Sequence, residues 1–133
     1  MQRSVTVIGS FCAAHCLHRY VGKCSQLHGH TWRVEVTWRG DQLQQEGPCT
    51  GMLCDFALLK QVLERCLVQL DHKLLNDVPR LGGELTPPTA ELLAQWIWDE
   101  VGAQTGSAHS TDNVKLACVR IWETDRTYAE LRS

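Results

Sequence analysis

His28-Gly29-His30-Thr31-Trp32-Arg33-Val34-Glu35-Val36-Thr37-Trp38 is the stretch from which the rest of this chain can be read. Trp32, Val34, Val36 and Trp38 share one parity; Arg33, Glu35 and Thr37 share the other. Strict alternation of this kind marks a strand with one apolar face. Residues two apart on a strand point the same way, so His28 and His30, opening this strand, close its apolar face. Two imidazoles side by side in an apolar setting need a partner, and a metal ion is the expected one.

A third histidine fits the same geometry. Val5 to His15 also reads as a strand, with Val5, Val7, Phe11 and His15 of one parity and Thr6, Ser10 and Cys12 of the other. If the two strands pair antiparallel, the end of the first lies beside the start of the second. His15 then joins His28 and His30, and residues 16–27 arch over them as a loop. Three neutral histidines and one open position form the pattern of a catalytic zinc. The glycine between His28 and His30 is expected to leave room for substrate or loop.

The composition excludes several classes. The chain has 133 residues, enough for one domain (1–133) with a real core, and 44% of them are hydrophobic against 21% charged. A formal charge of −2 gives no electrostatic case for nucleic acid or a membrane surface. No apolar run approaches the ~20 residues that span a bilayer, and the first ten residues are too weakly apolar for a signal peptide. Seven cysteines, an odd number, without an export signal speak against a disulfide framework. The expected compartment is the cytoplasm, with Cys12, Cys66 and Cys118 expected as small buried hydrophobes.

Beyond the two strands, Met52 to Cys54 is expected as a short return strand. Asp55 is the expected N-cap of a helix from Phe56 to Leu70, whose apolar stripe is Leu59, Val62, Leu63, Cys66, Leu67 and Leu70. Thr89 is expected to cap a second helix, Ala90 to Val101, stopped by Gly102. Val114 to Glu123 alternates as a strand, 124–126 is a turn, and Thr127 to Leu131 is the last strand. The order β-β-α-α-β-β predicts an α+β fold: a four-stranded antiparallel sheet with two helices on one face. Its open edges predict an oligomer.

Further residues carry chemistry. Cys24, beside Lys23, lies in the loop over the expected metal, as a fourth ligand closing the site, a free thiolate base beside an open one, or a spectator. Asp71-His72, at the end of the first helix, could form a carboxylate-oriented imidazole or simply a helix-end histidine near the dipole. Glu123 closes the apolar face of its strand and needs a donor: a bidentate ligand edge, an arginine, or solvent. Glu91 suits the first turn of its helix, and His18 and His109 read as surface residues.

Phe11-Cys12-Ala13-Ala14-His15, Cys24 to His30, Gly51-Met52-Leu53-Cys54-Asp55-Phe56, Leu70 to Asn76, Pro88-Thr89-Ala90-Glu91 and Trp122-Glu123-Thr124 occur in order over nearly the whole chain. Together they resemble the 6-pyruvoyl-tetrahydropterin synthase family, of the tunnelling fold. Three residues separate Cys24 from His28, a spacing that looks like the family's 6-carboxy-5,6,7,8-tetrahydropterin synthase branch rather than its 6-pyruvoyl branch, which has a longer insert there. The Asp55-Phe56 pair also looks like that bacterial-type branch.

The resemblance implies that His15, His28 and His30 bind zinc and that Cys24, Asp71 and His72 are catalytic. It implies that Glu123, helped by Thr89, holds the 2-amino and N3–H edge of a pterin. The family's second hydroxyl after that threonine is Ala90 here. The implied substrate is 7,8-dihydroneopterin triphosphate, and the implied products are 6-carboxytetrahydropterin, acetaldehyde and triphosphate, in queuosine (7-deazaguanine) biosynthesis. The implied assembly is a barrel, a dimer of trimers, with sites at subunit interfaces and Asp71 and His72 drawn from a different copy than Cys24. The alternative is triphosphate elimination alone, leaving a 6-pyruvoyl side chain. Lys23, Arg19 and Lys73 are the basic residues offered to the triphosphate.

Overall fold

The computed structural model describes residues 1–105 and 113–133; His109 lies outside the described residues. The elements are β1 (Arg3–His15), β2 (His28–Gly40), α1 (Phe56–Leu67), β3 (Lys73–Leu74), α2 (Ala90–Thr105), β4 (Lys115–Thr124) and β5 (Thr127–Arg132). The sheet order is β3-β1-β2-β4-β5. The sheet therefore has five strands where the sequence predicts four. The addition is the two-residue β3, which pairs parallel with β1 at Ala13 and Ala14. Two residues are too few to show a period, so no alternation could announce them.

The β1–β2 ladder is antiparallel over its full length, from Arg3↔Gly40 to His15↔His28. Its helix-facing side carries Val7, Phe11 and Ala13 from β1 and Trp32, Val34, Val36 and Trp38 from β2, all buried. Val119 and Ile121 continue that face on β4, and Leu59, Leu63, Leu93 and Ile97 cover it from the two helices. At Gly9 the same face has no side chain. A Cβ there would lie 2.8 Å from Leu67 Cδ1, so the glycine lets α1 sit close to the strand.

The helix signals hold with shifted ends. Asp55 caps α1, accepting from the Ala57 N–H at 2.9 Å. The helix stops at Leu67 rather than Leu70; turns carry the chain on, and Leu70 stays buried. Thr89 Oγ1 accepts from the Leu92 N–H at 3.2 Å at the start of α2. That helix runs through Gly102 to Thr105, because a glycine lowers helix propensity without ending a helix that packing supports. Met52 to Cys54 is not a strand: Gln44 and Gly51–Met52 instead close on each other as a turn. All seven cysteines are free. Cys66 is buried as expected, but Cys118 is half-buried and Cys12 is exposed. Cys12 has the parity of Thr6 and Ser10, and so faces away from the helices.

That open face is polar and knitted by charge. Arg120 Nε donates to Glu130 Oε2 at 2.8 Å, Arg132 also pairs with Glu130, and Trp122 Nε1 donates to Glu35 Oε2 at 3.2 Å. The Arg132 bond, with Arg120 beside it, holds the Glu130 carboxyl down at about 2, from an ordinary 4.5. A depressed acid contributes stability that is present above its unfolded value and lost as pH falls through the folded one. Glu130→Gln should therefore be less stable than the parent above pH 4.5, with the gap closing as pH falls towards 2. Urea unfolding across that range measures it; a constant gap contradicts the assignment.

Candidate active site

The β1–β2 register places His15 directly across from His28, and Ala13 across from His30. All three imidazoles reach the same point at the end of the ladder, their ligand atoms lying within 4.8 Å of one another. His15 is almost wholly buried at 1% exposure, and His28 and His30 are half-buried. Their rings meet edge to face, and both His15 and His30 abut Trp32.

Two backbone carbonyls decide the tautomers. His15 Nδ1 lies 2.7 Å from the Pro88 carbonyl oxygen, and His28 Nδ1 lies 2.7 Å from that of Gln26. A carbonyl only accepts, so both Nδ1 atoms carry the proton and both Nε2 atoms are bare when the rings are neutral. Yet the two Nε2 atoms face each other at 2.9 Å. Lone pairs so opposed need a cation between them. A shared proton is disfavoured at His15, whose burial pushes the imidazole below its ordinary value despite the Pro88 bond. The third ring supplies a matching vacancy in bonding: His30 Nε2 is buried without a hydrogen-bond partner. Burial lowers His30 as well, with Glu123 opposing. Three converging nitrogen donors of this kind could hold a divalent metal ion.

Glu123 lies where its parity puts it, on the helix-facing side of β4, one step beyond the Arg33↔Trp122 pair. Its Oε1 is 3.6 Å from His30 Nε2, outside hydrogen-bonding reach, and its side chain is 27% exposed. Among the described residues no donor lies within hydrogen-bonding distance of it. Thr89 follows Pro88, whose carbonyl holds His15, so the start of α2 is tied to the histidine cluster.

Asp71 and His72 form the expected pair: His72 Nδ1 is 3.0 Å from Asp71 Oδ2. The pair hangs on the edge of β1. Cys12 N–H donates to Asp71 Oδ1 at 2.9 Å, and His72 N–H donates to the Cys12 carbonyl at 2.6 Å. The Cys12 bond, and then His72, hold the Asp71 carboxyl below its ordinary value. His72 adopts a φ of 56°, a left-handed conformation that costs a non-glycine residue about 1 kcal/mol or more and persists only where its surroundings hold it. Its ring is 82% exposed and shares a surface cavity with Gly29, His30 and Thr31.

Cys24 sits in a single 3-10 turn, Lys23–Ser25, in the segment between β1 and β2, and its carbonyl accepts from Leu17 N–H at 2.9 Å. It is half-buried and stands outside the three-histidine group. Of the basic residues offered to a polyanion, Arg19 pairs with Glu84, while Lys23 and Lys73 are exposed. His18 is exposed and Glu91 lies in the first turn of α2. Gly29 is not demanded by the chain itself: a Cβ there would meet only the Ala13 carbonyl oxygen, at 3.7 Å. The sequence does not disclose the carbonyls of Gln26 and Pro88, because a backbone acceptor has no residue signature.

Added divalent metal should raise the melting temperature of metal-free protein, and elemental analysis should find one ion per chain. His15→Ala, His28→Ala and His30→Ala should each abolish that shift. A full shift in all three variants would dismiss the cluster as a metal site.

A family model described as 6-pyruvoyl tetrahydropterin synthase matches residues 4–133. The 6-carboxy-5,6,7,8-tetrahydropterin synthase of Synechocystis sp. is 46% identical over 90 residues, covering 67% of this chain and 67% of its own. The Bacillus subtilis protein of the same name is 34% identical over 125 residues, covering 90% and 78%. Among solved structures, Caenorhabditis elegans 6-pyruvoyl tetrahydropterin synthase superposes with a TM-score of 0.78 at 24% identity, covering 100% and 96%; at that identity the likeness concerns the fold alone.

Proposed function

Because this chain belongs to the 6-pyruvoyl tetrahydropterin synthase family, we propose that it is a zinc-dependent lyase acting on 7,8-dihydroneopterin triphosphate. With water, the substrate yields 6-carboxy-5,6,7,8-tetrahydropterin, acetaldehyde and triphosphate, a step in queuosine biosynthesis. The observation that carries the reading is the cluster of three imidazoles with uncommitted Nε2 atoms beside a half-buried carboxylate that lacks a donor. The choice of branch is supported by relatives named for the 6-carboxy product and by the short spacing from Cys24 to His28.

His15, His28 and His30 would hold the zinc, which when bound supplies a Lewis acid for substrate hydroxyls and makes neighbouring protons easier to remove. Glu123 accepts the 2-amino and N3–H donors of the pterin, fixing the ring by a charge-assisted pair of bonds, and Thr89 adds a hydroxyl. Ala90 offers no side-chain contact, so only its backbone can assist. Cys24, as thiolate, takes a proton from the substrate side chain. His72 donates its Nδ1 proton to Asp71, which leaves Nε2 free to accept and return protons. Triphosphate expulsion and carbon–carbon cleavage both require such proton transfers.

The functional unit in this reading is one domain, residues 1–133, in a cytoplasmic homo-oligomer, a dimer of trimers. Its site lies at a subunit interface, with Cys24 and the Asp71–His72 pair supplied by different copies. The exposure of His72 supports that division. Among the described residues no helix is long and apolar enough to cross a membrane.

Mass spectrometry of the products from dihydroneopterin triphosphate and zinc-loaded protein tests the reaction. Acetaldehyde and the 6-carboxy product are expected; a retained three-carbon side chain would replace this proposal with the 6-pyruvoyl reaction. Cys24→Ala should keep its zinc and lose turnover by roughly 10²–10⁴-fold. Loss of zinc with activity would make Cys24 a ligand instead. Mixing Cys24→Ala subunits with His72→Ala subunits should restore turnover that neither variant shows alone.

A further inference from the structure

The end of β1 poses a bonding problem. The β1–β2 ladder stops at His15↔His28, and β3 pairs with β1 only at Ala13 and Ala14. Cys16, the next residue, is buried and has neither strand beside it. Buried backbone groups left unpaired are costly, about 1–3 kcal/mol each. Both are taken by one side chain. Cys16 N–H donates to Asn76 Oδ1 at 3.0 Å, and Asn76 Nδ2 donates to the Cys16 carbonyl at 2.9 Å.

A primary amide is suited to this because it carries a donor and an acceptor side by side, like a peptide. It extends the sheet by one pairing after β3 has turned away into the 3-10 turn Leu75–Asp77. Asn76 is itself held from behind. A Cβ on Gly82 would collide with the Asn76 carbonyl oxygen, so the backbone of 82 is pressed against that of 76. The hold then passes forward: Leu17, adjoining Cys16, donates its N–H to the Cys24 carbonyl at 2.9 Å. A continuous path thus runs from Asn76 through Cys16 and Leu17 to Cys24, and Cys16 is bonded directly to the metal ligand His15.

We propose that Asn76 is a positioning residue: by clamping both backbone groups of Cys16 it fixes the end of β1 and, through the Leu17–Cys24 bond, the place of Cys24 relative to that strand end. This rests on the reading of Cys24 as a catalytic thiol. The clamp has a further consequence. Asn76 lies four residues after His72, so the segment that carries the imidazole also sets the loop that carries the thiol.

Asn76→Asp tests it with a near-isosteric change. The carboxylate still accepts from Cys16 N–H but sets a second oxygen against the Cys16 carbonyl. Zinc content should be kept, and kcat should fall about tenfold or more with KM within about twofold, the pattern of a displaced reacting group. Alkylation of Cys24 by iodoacetamide, mapped by mass spectrometry, should quicken several-fold, with Cys12 on the open face unchanged as the control. A lower melting temperature with kcat and Cys24 alkylation unaltered would overturn the proposal. If Cys24→Ala retains full turnover, the catalytic reading fails, while faster alkylation in Asn76→Asp still upholds the clamp. Amide exchange on the unaltered protein stands even if the variant does not fold. Cys16 and Leu17 should exchange slowly, and exchange at free-loop rates would overturn the clamp.

Discussion

Two imidazole nitrogens that both lack a proton do not rest 2.9 Å apart unless a cation lies between them. In this chain the constraint is imposed from outside the rings. The carbonyls of Pro88 and Gln26 take up the Nδ1 protons of His15 and His28, and the strand ladder brings the opposite sides of the rings together. His30 arrives from the same strand as His28 with its own nitrogen unpaired. The fold thus supplies attraction for a cation before any cation is present. The surroundings follow: Trp32 packs edge to face against His15 and His30, and Glu123 Oε1 lies 3.6 Å from His30 Nε2.

Much of this was legible in the sequence because strands have an exact two-residue period. The parity of His15 against Val7 and Phe11, and of His28 and His30 against Trp32, places all three on the covered face, and the antiparallel register then makes them neighbours. Glu123 was legible for the same reason. Asp71 and His72 were suggestive as a dipeptide, but their attachment to Cys12 could not be read, since it depends on where the chain returns after α1. β3 was invisible because it is two residues long and earns its place by docking on β1. Cys12 is exposed despite its residue type, because its even position in β1 puts it on the open face with Thr6 and Ser10.

The division of labour is uneven. The covered face of the sheet is apolar, and one end of it carries the three-histidine cluster. The open face is charged, with Glu130 drawn towards Arg132 and Arg120, and Glu35 shared by Arg33, Arg120 and Trp122. Asp71 and His72 sit at the β1 edge between these two environments, bonded to both backbone groups of Cys12. The segment between β1 and β2 is tied back to β1 by the bonds of Asn76 to Cys16 and of Leu17 to Cys24, alongside its own internal turns.

The pairing of His15 with His28 also bears on how the chain reaches its native state. A slip of one residue between β1 and β2 would turn every side chain of one strand to the opposite face. The tryptophans could be partly reburied by such a slip, but the three nitrogens could not reconverge. Metal affinity is then available to one alignment and denied to its neighbours. A metal ion held by the three histidines would therefore add its binding energy to the correct ladder alone, and so would select the alignment of the strands.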